Sequence, residues 1–479
     1  MTLYLRLLLA HLPAFLIGLA MVELLWPRRG PAGGGLKLAL APGLGWGIST
    51  ALFFLWSQAA SPYPRIYPYL EWGFALGLSL AALWSGRKAW THFARPAAVT
   101  LPRLLPGAAA LLVFAAGGLL LWLRADAQPS GNFDAYAIWN MRARFLFLSD
   151  ARTWKEAFSP ALEWWTHADY PLLWPLALLR AYFSQGRILS QAGVFQAWTY
   201  GAALLGLFIA GLRSLHPFRS GWQAVVGGMV LLGLPWFVNY TAFQQSDVPL
   251  AYFYLATLIL LLLYQREAHP GLAALAGLAA GCAAWTKNDG IVFLVAAAAC
   301  FATLGIRRAK EPRLPMPGMA AFGAGLILPL AALLSFKLFL APPGDLIGAQ
   351  SIADITAKLL DPSRYLSIGL AIVRAIPTLG GLPWPAAAAG AGYLLLAGFA
   401  RRVSGPTGAR LFMLPSLTLL GYCAVYLITP HTLEWHLGYS LDRLLFHLLI
   451  PALFLALVLV RSPEELAAHL RAGRENKGV

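Results

Sequence analysis

Charge is scarce in this chain. Of its 479 residues only 12% are Asp, Glu, Lys or Arg, against about a quarter in soluble domains, which excludes a water-soluble globular protein. Cysteine is almost absent. Cys282, Cys300 and Cys423 each fall in an apolar run, so they read as small packing residues and not as a disulfide framework or a metal site. No glycine-rich strand–loop–helix, no His-Glu-x-x-His and no Gly-x-Ser-x-Gly occurs. Nucleotide-driven transport, zinc proteolysis and serine hydrolysis therefore lack their local geometry. Acids are the scarcest charge, 20 against 36 lysines and arginines, so a place where several carboxylates gather needs a reason.

Apolar residues are abundant, 59% of the total, with a mean hydropathy of +0.64. Crossing a hydrocarbon core takes about 20 residues of helix, and runs of that order recur along nearly the whole length. They predict an all-α polytopic membrane protein with about 13 transmembrane helices, at 5–26, 37–58, 67–85, 105–124, 190–213, 222–243, 247–265, 271–286, 290–306, 318–341, 383–400, 410–429 and 444–461. The first apolar run is too long for a signal peptide and has no clear small-x-small site before Pro27, so it reads as an uncleaved span.

With the N-terminus outside, the inner segments 27–37, 86–103, 211–221, 264–270, 306–317, 401–410 and 461–479 hold 21 lysines and arginines against five acids, and the outer segments hold 14 of each. That basic excess selects this orientation. The net charge of +16 accordingly reports topology and predicts no nucleic-acid partner. The Ala-, Gly- and Arg-rich composition points to a cell inner membrane in a bacterium, with the outer face periplasmic.

Three regions follow from this pattern: 1–104, an additional N-terminal bundle with no polar cluster, ending in a basic inner loop with Arg87, Lys88, Arg95 and Arg103; 105–341, a transmembrane module with a long outer loop at 125–189; and 342–479, an outer loop and the C-terminal helices. The first outer loop contains Asp126, Asp134, Asp150, Glu156, Glu163 and Asp169. Ile138, Met141, Phe145 and Leu148 recur there at helical spacing, which predicts an interfacial amphipathic helix with Asp134 on its membrane-facing stripe. Residues 170–184 are apolar but only about fifteen long, too short to span, and read as a second interfacial helix. The second outer loop, 342–382, holds Asp345, Asp354, Lys358, Asp361 and Arg364 and is expected to lie over the cleft.

Asp134, Asp169 and Asp247 all stand at helix starts on the predicted outer face. Each has a capping alternative, since an acid in a first turn offsets the macrodipole and binds free amides. Together with His167 they can also face one outer cleft, where acids at membrane depth mark a site. A divalent metal ion is one possible occupant of the carboxylates and His167, although the same groups can act without a metal as base and hydroxyl binders. Lys287, in the polar turn Trp285-Thr-Lys-Asn-Asp-Gly290, either snorkels or meets a phosphate or sugar hydroxyl. His436, Ser440 and Arg443 are spaced to share a helix face, and a guanidinium at the membrane boundary either anchors the helix or holds a lipid phosphate through paired hydrogen bonds.

These motifs resemble the GT-C superfamily of polytopic glycosyltransferases that use polyprenyl-phosphate sugars, in particular the protein O-mannosyltransferase and aminoarabinose transferase-like branch. The resemblance covers about residues 105–447. It rests on Phe133-Asp-Ala-Tyr-Ala-Ile-Trp139, His167-Ala-Asp-Tyr-Pro-Leu172, Asp247-Val-Pro-Leu-Ala251 and Thr286-Lys-Asn-Asp-Gly290, in that order; Ala135 stands where many members carry a second acid. It implies a GT-C-like fold, Asp134 as catalytic general base, and His167, Asp169, Asp247, Lys287, His436 and Arg443 as substrate-binding groups. It also implies a polyprenyl-phosphate-linked sugar as donor, a glycan, lipid or protein acceptor, and no required cofactor. A transporter or flippase for lipid-linked glycans is the rival from another class. A polymerase or ligase acting on the same donors is a third reading.

Overall fold

The computed structural model describes residues 3–27, 33–59, 66–87, 101–149, 151–162, 166–215, 221–308, 316–344, 346, 350–398 and 412–475. Lys88, Arg95, Asp150, Glu163 and Asp345 lie outside the described residues. Helices follow one another as α1 (Leu3–Leu25), α2 (Gly34–Ala59), α3 (Tyr67–Arg87), α4 (Leu101–Asp126), α5 (Asn140–Leu148), α6 (Leu173–Gln185), α7 (Ser190–Leu215), α8 (Gly221–Leu232), α9 (Pro235–Ala242) and α10 (Asp247–Glu267). Then come α11 (Pro270–Thr286), α12 (Asp289–Arg308), α13 (Met316–Phe339), α14 (Ile352–Leu359), α15 (Pro362–Ala375), α16 (Trp384–Ala397), α17 (Met413–Ile428), α18 (Leu433–Leu459) and α19 (Pro463–Glu475). Among the described residues there is no strand.

The chain is a multi-pass α-helical membrane protein. Seven helices, α1, α2, α4, α7, α10, α13 and α18, are long and apolar enough to cross a membrane, and α8 with α9 adds an eighth if the pair is one span. That pair bends by 64° where Pro235 starts α9, since proline removes a helical donor and clashes with the preceding turn. The apolar helices α11 and α17 are shorter, as is the apolar part of α12. Helix α10 is the axis of the bundle: every residue from Asp247 to Tyr264 is buried. Glycine permits close crossings: a Cβ on Gly277 of α11 would lie 2.1 Å from the Phe322 carbonyl oxygen of α13, and one on Gly325 would lie 2.0 Å from that of Ala274.

One expectation is corrected. The first three helices do carry a polar cluster. Glu71 of α3 is buried in an ion pair with Arg180 of α6 and accepts the Ser49 hydroxyl of α2, while Tyr252 of α10 donates to the Ala39 and Leu40 carbonyls at 2.8 and 2.9 Å. Helix α6 packs inside the bundle, with Leu173 to Tyr182 buried. Gln185 at its end donates to the Arg6 carbonyl at the start of α1. On α5, Met141 is half-buried and Phe145 and Leu148 are exposed, so these three share an accessible side, whereas Ile138, Asn140 and Arg142 are buried. A π-turn over Ala135–Trp139, in which the Asn140 amide reaches the Ala135 carbonyl, inserts a residue between Asp134 and that side.

The second outer loop folds as α14 and α15 against α17 and α18. Arg364 donates to the Leu427 and Tyr426 carbonyls at 2.9 and 3.0 Å and Lys358 to that of Thr429 at 2.8 Å, covering the free C-terminal carbonyls of α17. Asp354 and Asp361 belong to helix caps. Hydrogen bonds from Ser351 and Ser363, respectively, hold their carboxyls below the ordinary range.

Candidate functional site

Helix ends bring the acids to one end of the bundle. Asp134 precedes the π-turn, but its side chain makes no capping bond; its carboxylate pairs with Arg443 of α18 at 2.5 Å and accepts the Tyr439 hydroxyl at 3.4 Å. Asp247 opens α10, and its Oδ1 meets Lys287 Nζ at 3.1 Å and His447 Nε2 at 2.8 Å. Lys287 also pairs with Asp289 at 2.9 Å. Arg443 feels the charges of Asp247 and Asp289 as well as that of Asp134, so these side chains form one electrostatic unit. The capping alternatives for Asp134 and Asp247 are not realised, because each carboxylate has turned to a cation.

Asp169 stands beside this unit. Its Oδ2 accepts from Asn288 at 2.7 Å and Lys337 at 3.2 Å, and Lys337 reaches Asn288 Oδ1 at 2.9 Å. Asn288 lies between Lys287 and Asp289, so the α11–α12 turn joins both groups. The turn is tight because Gly290 abuts the Ala283 carbonyl, 1.9 Å from where a Cβ would sit. The segment carrying Asp169 is clamped by Arg142, which donates to the Ala168 and Thr166 carbonyls at 3.1 and 3.0 Å. His167 there takes a φ of 46°, uncommon for a side-chain-bearing residue, and stacks on Tyr170.

Of the residues singled out in the sequence, Asp134, Asp247, Lys287 and Arg443 form the charged unit, and Asp169 joins through Asn288. His167 flanks it. His436 is set apart: its Nδ1 bonds Thr429 at 2.8 Å and its ring packs against Tyr426, while Ser440 bonds the Tyr426 hydroxyl. The spacing on α18 held, but His436 and Ser440 meet α17 and only Arg443 meets Asp134.

Lys337 and His447 were not foreseen as partners of the acids. A polar or titratable side chain inside an apolar helix is the available signal for both. Trp435, Tyr439 and Arg443, at successive four-residue intervals, form an exposed ladder: the two rings stack at 5.5 Å and the guanidinium lies 5.2 Å from the Tyr439 ring centre. Phe133 and Tyr136 are exposed beside Asp134.

The proposed metal ligands do not converge. Asp134, Asp169 and Asp247 face separate cations, and among the described residues no three His, Cys, Asp or Glu side chains form a metal-binding group. What the arrangement offers is an aromatic, partly exposed rim with a cation, a carboxylate behind it, and buried acceptors or donors at Gln245 Oε1, Ser246 Oγ and His447 Nδ1 that have no hydrogen-bond partner among the described residues. Such a surface suits a polar ligand carrying an anion. No family model, curated protein or solved structure matches the chain.

Proposed function

We propose that the protein is an integral-membrane glycosyltransferase that moves a sugar from a polyprenyl-phosphate donor to an acceptor hydroxyl on the periplasmic face of the inner membrane, with about 13 crossings in a GT-C-like arrangement. The observation that supports this most is the Asp134–Arg443 pair. A carboxylate and a guanidinium stand together on α18's aromatic rim, at the end of the bundle where the tail of a lipid would remain in hydrocarbon.

In this reading the donor phosphate takes Arg443, which releases Asp134 from its partner. The freed carboxylate accepts the proton of the acceptor hydroxyl as that oxygen bonds the anomeric carbon and the carbon–phosphate oxygen bond breaks, with inversion. Arg443 and Lys287 stabilise the charge left on the polyprenyl phosphate. Asp169, Asp247 and His167 orient sugar or acceptor, and the exposed rings of Trp435 and Tyr439 supply an apolar surface for a sugar face.

Native mass spectrometry of the detergent-purified chain, titrated with synthetic polyprenyl phosphate, tests the donor site. An adduct weakened at least tenfold in Arg443→Ala is the expected result. Equal binding by the wild type and Arg443→Ala would overturn the reading.

A further inference from the structure

A cavity lies along the side of the bundle, with its charged end away from the acids. It has a volume of about 720 Å³ and is walled by α2, α4 and α7, with Ala39, Gly107, Phe114, Ala203, Gly206 and Arg213 among its lining. Gly193 at the start of α7 packs against Gln244, close to Asp247, whereas Gly211 near its end packs against Ile259 and Phe454, deep along α10 and α18. The cavity thus runs away from the charged site. Its α7 wall from Trp198 to Ser214 is about 24 Å long at the helical rise, comparable with an extended acyl chain. Leu38 and Leu111 on its rim are exposed, so the groove opens sideways into lipid.

Its charge is at one end only. Arg213 is the single charged residue among the described lining, and it is exposed in the last turn of α7. It makes no ion pair among the described residues, in contrast to nearby Lys37, which pairs with Glu23 at 2.7 Å. Gly107 lets it lie across α4: a Cβ there would come 3.3 Å from Arg213 Nη1. Ser214 lines the same end and adds a hydroxyl donor. An apolar trough ending in an uncompensated guanidinium matches a lipid with an apolar chain and an anionic head. A guanidinium holds phosphate oxygens through paired donors, and basic groups at a membrane surface favour anionic lipids.

From this charge complementarity we infer that the α2–α4–α7 groove is a binding site for an anionic glycerophospholipid, with one chain along α7 and the phosphate on Arg213 and Ser214. The inference is independent of the transferase reading. It is tested on the full-length protein, delipidated in detergent and titrated with phosphatidylglycerol or phosphatidylcholine under native mass spectrometry. The first tight adduct is expected to favour phosphatidylglycerol about fivefold. Arg213→Ala should bring that ratio to about one, Arg213→Lys should keep most of it, and Ala202→Phe, which fills the trough, should weaken the first adduct of both lipids. A preference that survives Arg213→Ala overturns the inference, as does a wild type that does not distinguish the lipids.

Discussion

Asp134 shows what residue-scale geometry adds to chemistry. A carboxylate 2.5 Å from a guanidinium is a hydrogen-bond acceptor already in use, so it is a poor base until the guanidinium moves. On the proposed mechanism Asp134→Asn separates two effects. The amide cannot take the proton, and release of polyprenyl phosphate from a glycosylated donor should fall by about 10²- to 10⁴-fold. Arg443, no longer held by a charge, should bind polyprenyl phosphate at least as tightly as before. Turnover assays and native mass spectrometry on the same preparation read both quantities; unchanged turnover in a folded variant removes Asp134 as the base. Asp247 differs in being fully buried between Lys287 and His447, which fits a fixed organiser of the site.

Element packing depends on where side chains are missing. Helices of Ala and Leu gain nothing by leaving equally apolar lipid, so close backbone approach and dispersion hold them together. The α11–α13 crossing is the clearest case, with Gly277 against the Phe322 carbonyl and Gly325 against that of Ala274. Gly277→Leu should push these helices apart and destabilise the fold by about 1–3 kcal/mol or more, seen as a lower thermal midpoint in detergent. Gly323→Leu is the control, since nothing lies within 4 Å of its Cβ position, and it should be close to neutral. Equal losses in both variants would show that side-chain volume at the crossing is not what matters. The same crossing sets the turn that presents Lys287, Asn288 and Asp289, so a displaced α11 should also weaken ligand binding.

At the scale of the whole molecule, the Glu71–Arg180 pair joins the first three helices to the later bundle. Both side chains are buried, and the pair spans 109 residues of sequence. Removing one partner of such a pair leaves an uncompensated charge and costs about 3–5 kcal/mol, whereas replacing both with apolar groups is often neutral. Glu71→Leu and Arg180→Met should each lower the thermal midpoint sharply, and the double variant should recover most of the loss. A double variant as unstable as the sum of the singles would mean that the two charges act independently.

Helix content and membrane character are legible in the sequence because burying a backbone in hydrocarbon demands internal hydrogen bonds and apolar side chains along the whole segment. Each predicted span accordingly falls on a helix or, at 222–243, a bent pair, as far as its residues are described, and seven or eight of these are long and apolar enough to cross a membrane. The candidate acids were legible for a related reason: a carboxylate at a membrane segment is too costly to be incidental. Their partners were not. Arg443 and Asp134 are 309 residues apart and His447 and Asp247 are 200 apart, and no local periodicity encodes such pairings. Lys337 was visible only as a cation left inside a helix, and Glu71 and Arg180 gave no sign of each other. The π-turn shifts Asp134 relative to Met141, Phe145 and Leu148, which keep their own α-helical spacing. The sequence alone determined that the chain is a bundle of membrane helices with a few costly charges. The tertiary structure decided which charges meet, since ion pairing depends on distance in space and is indifferent to distance along the chain.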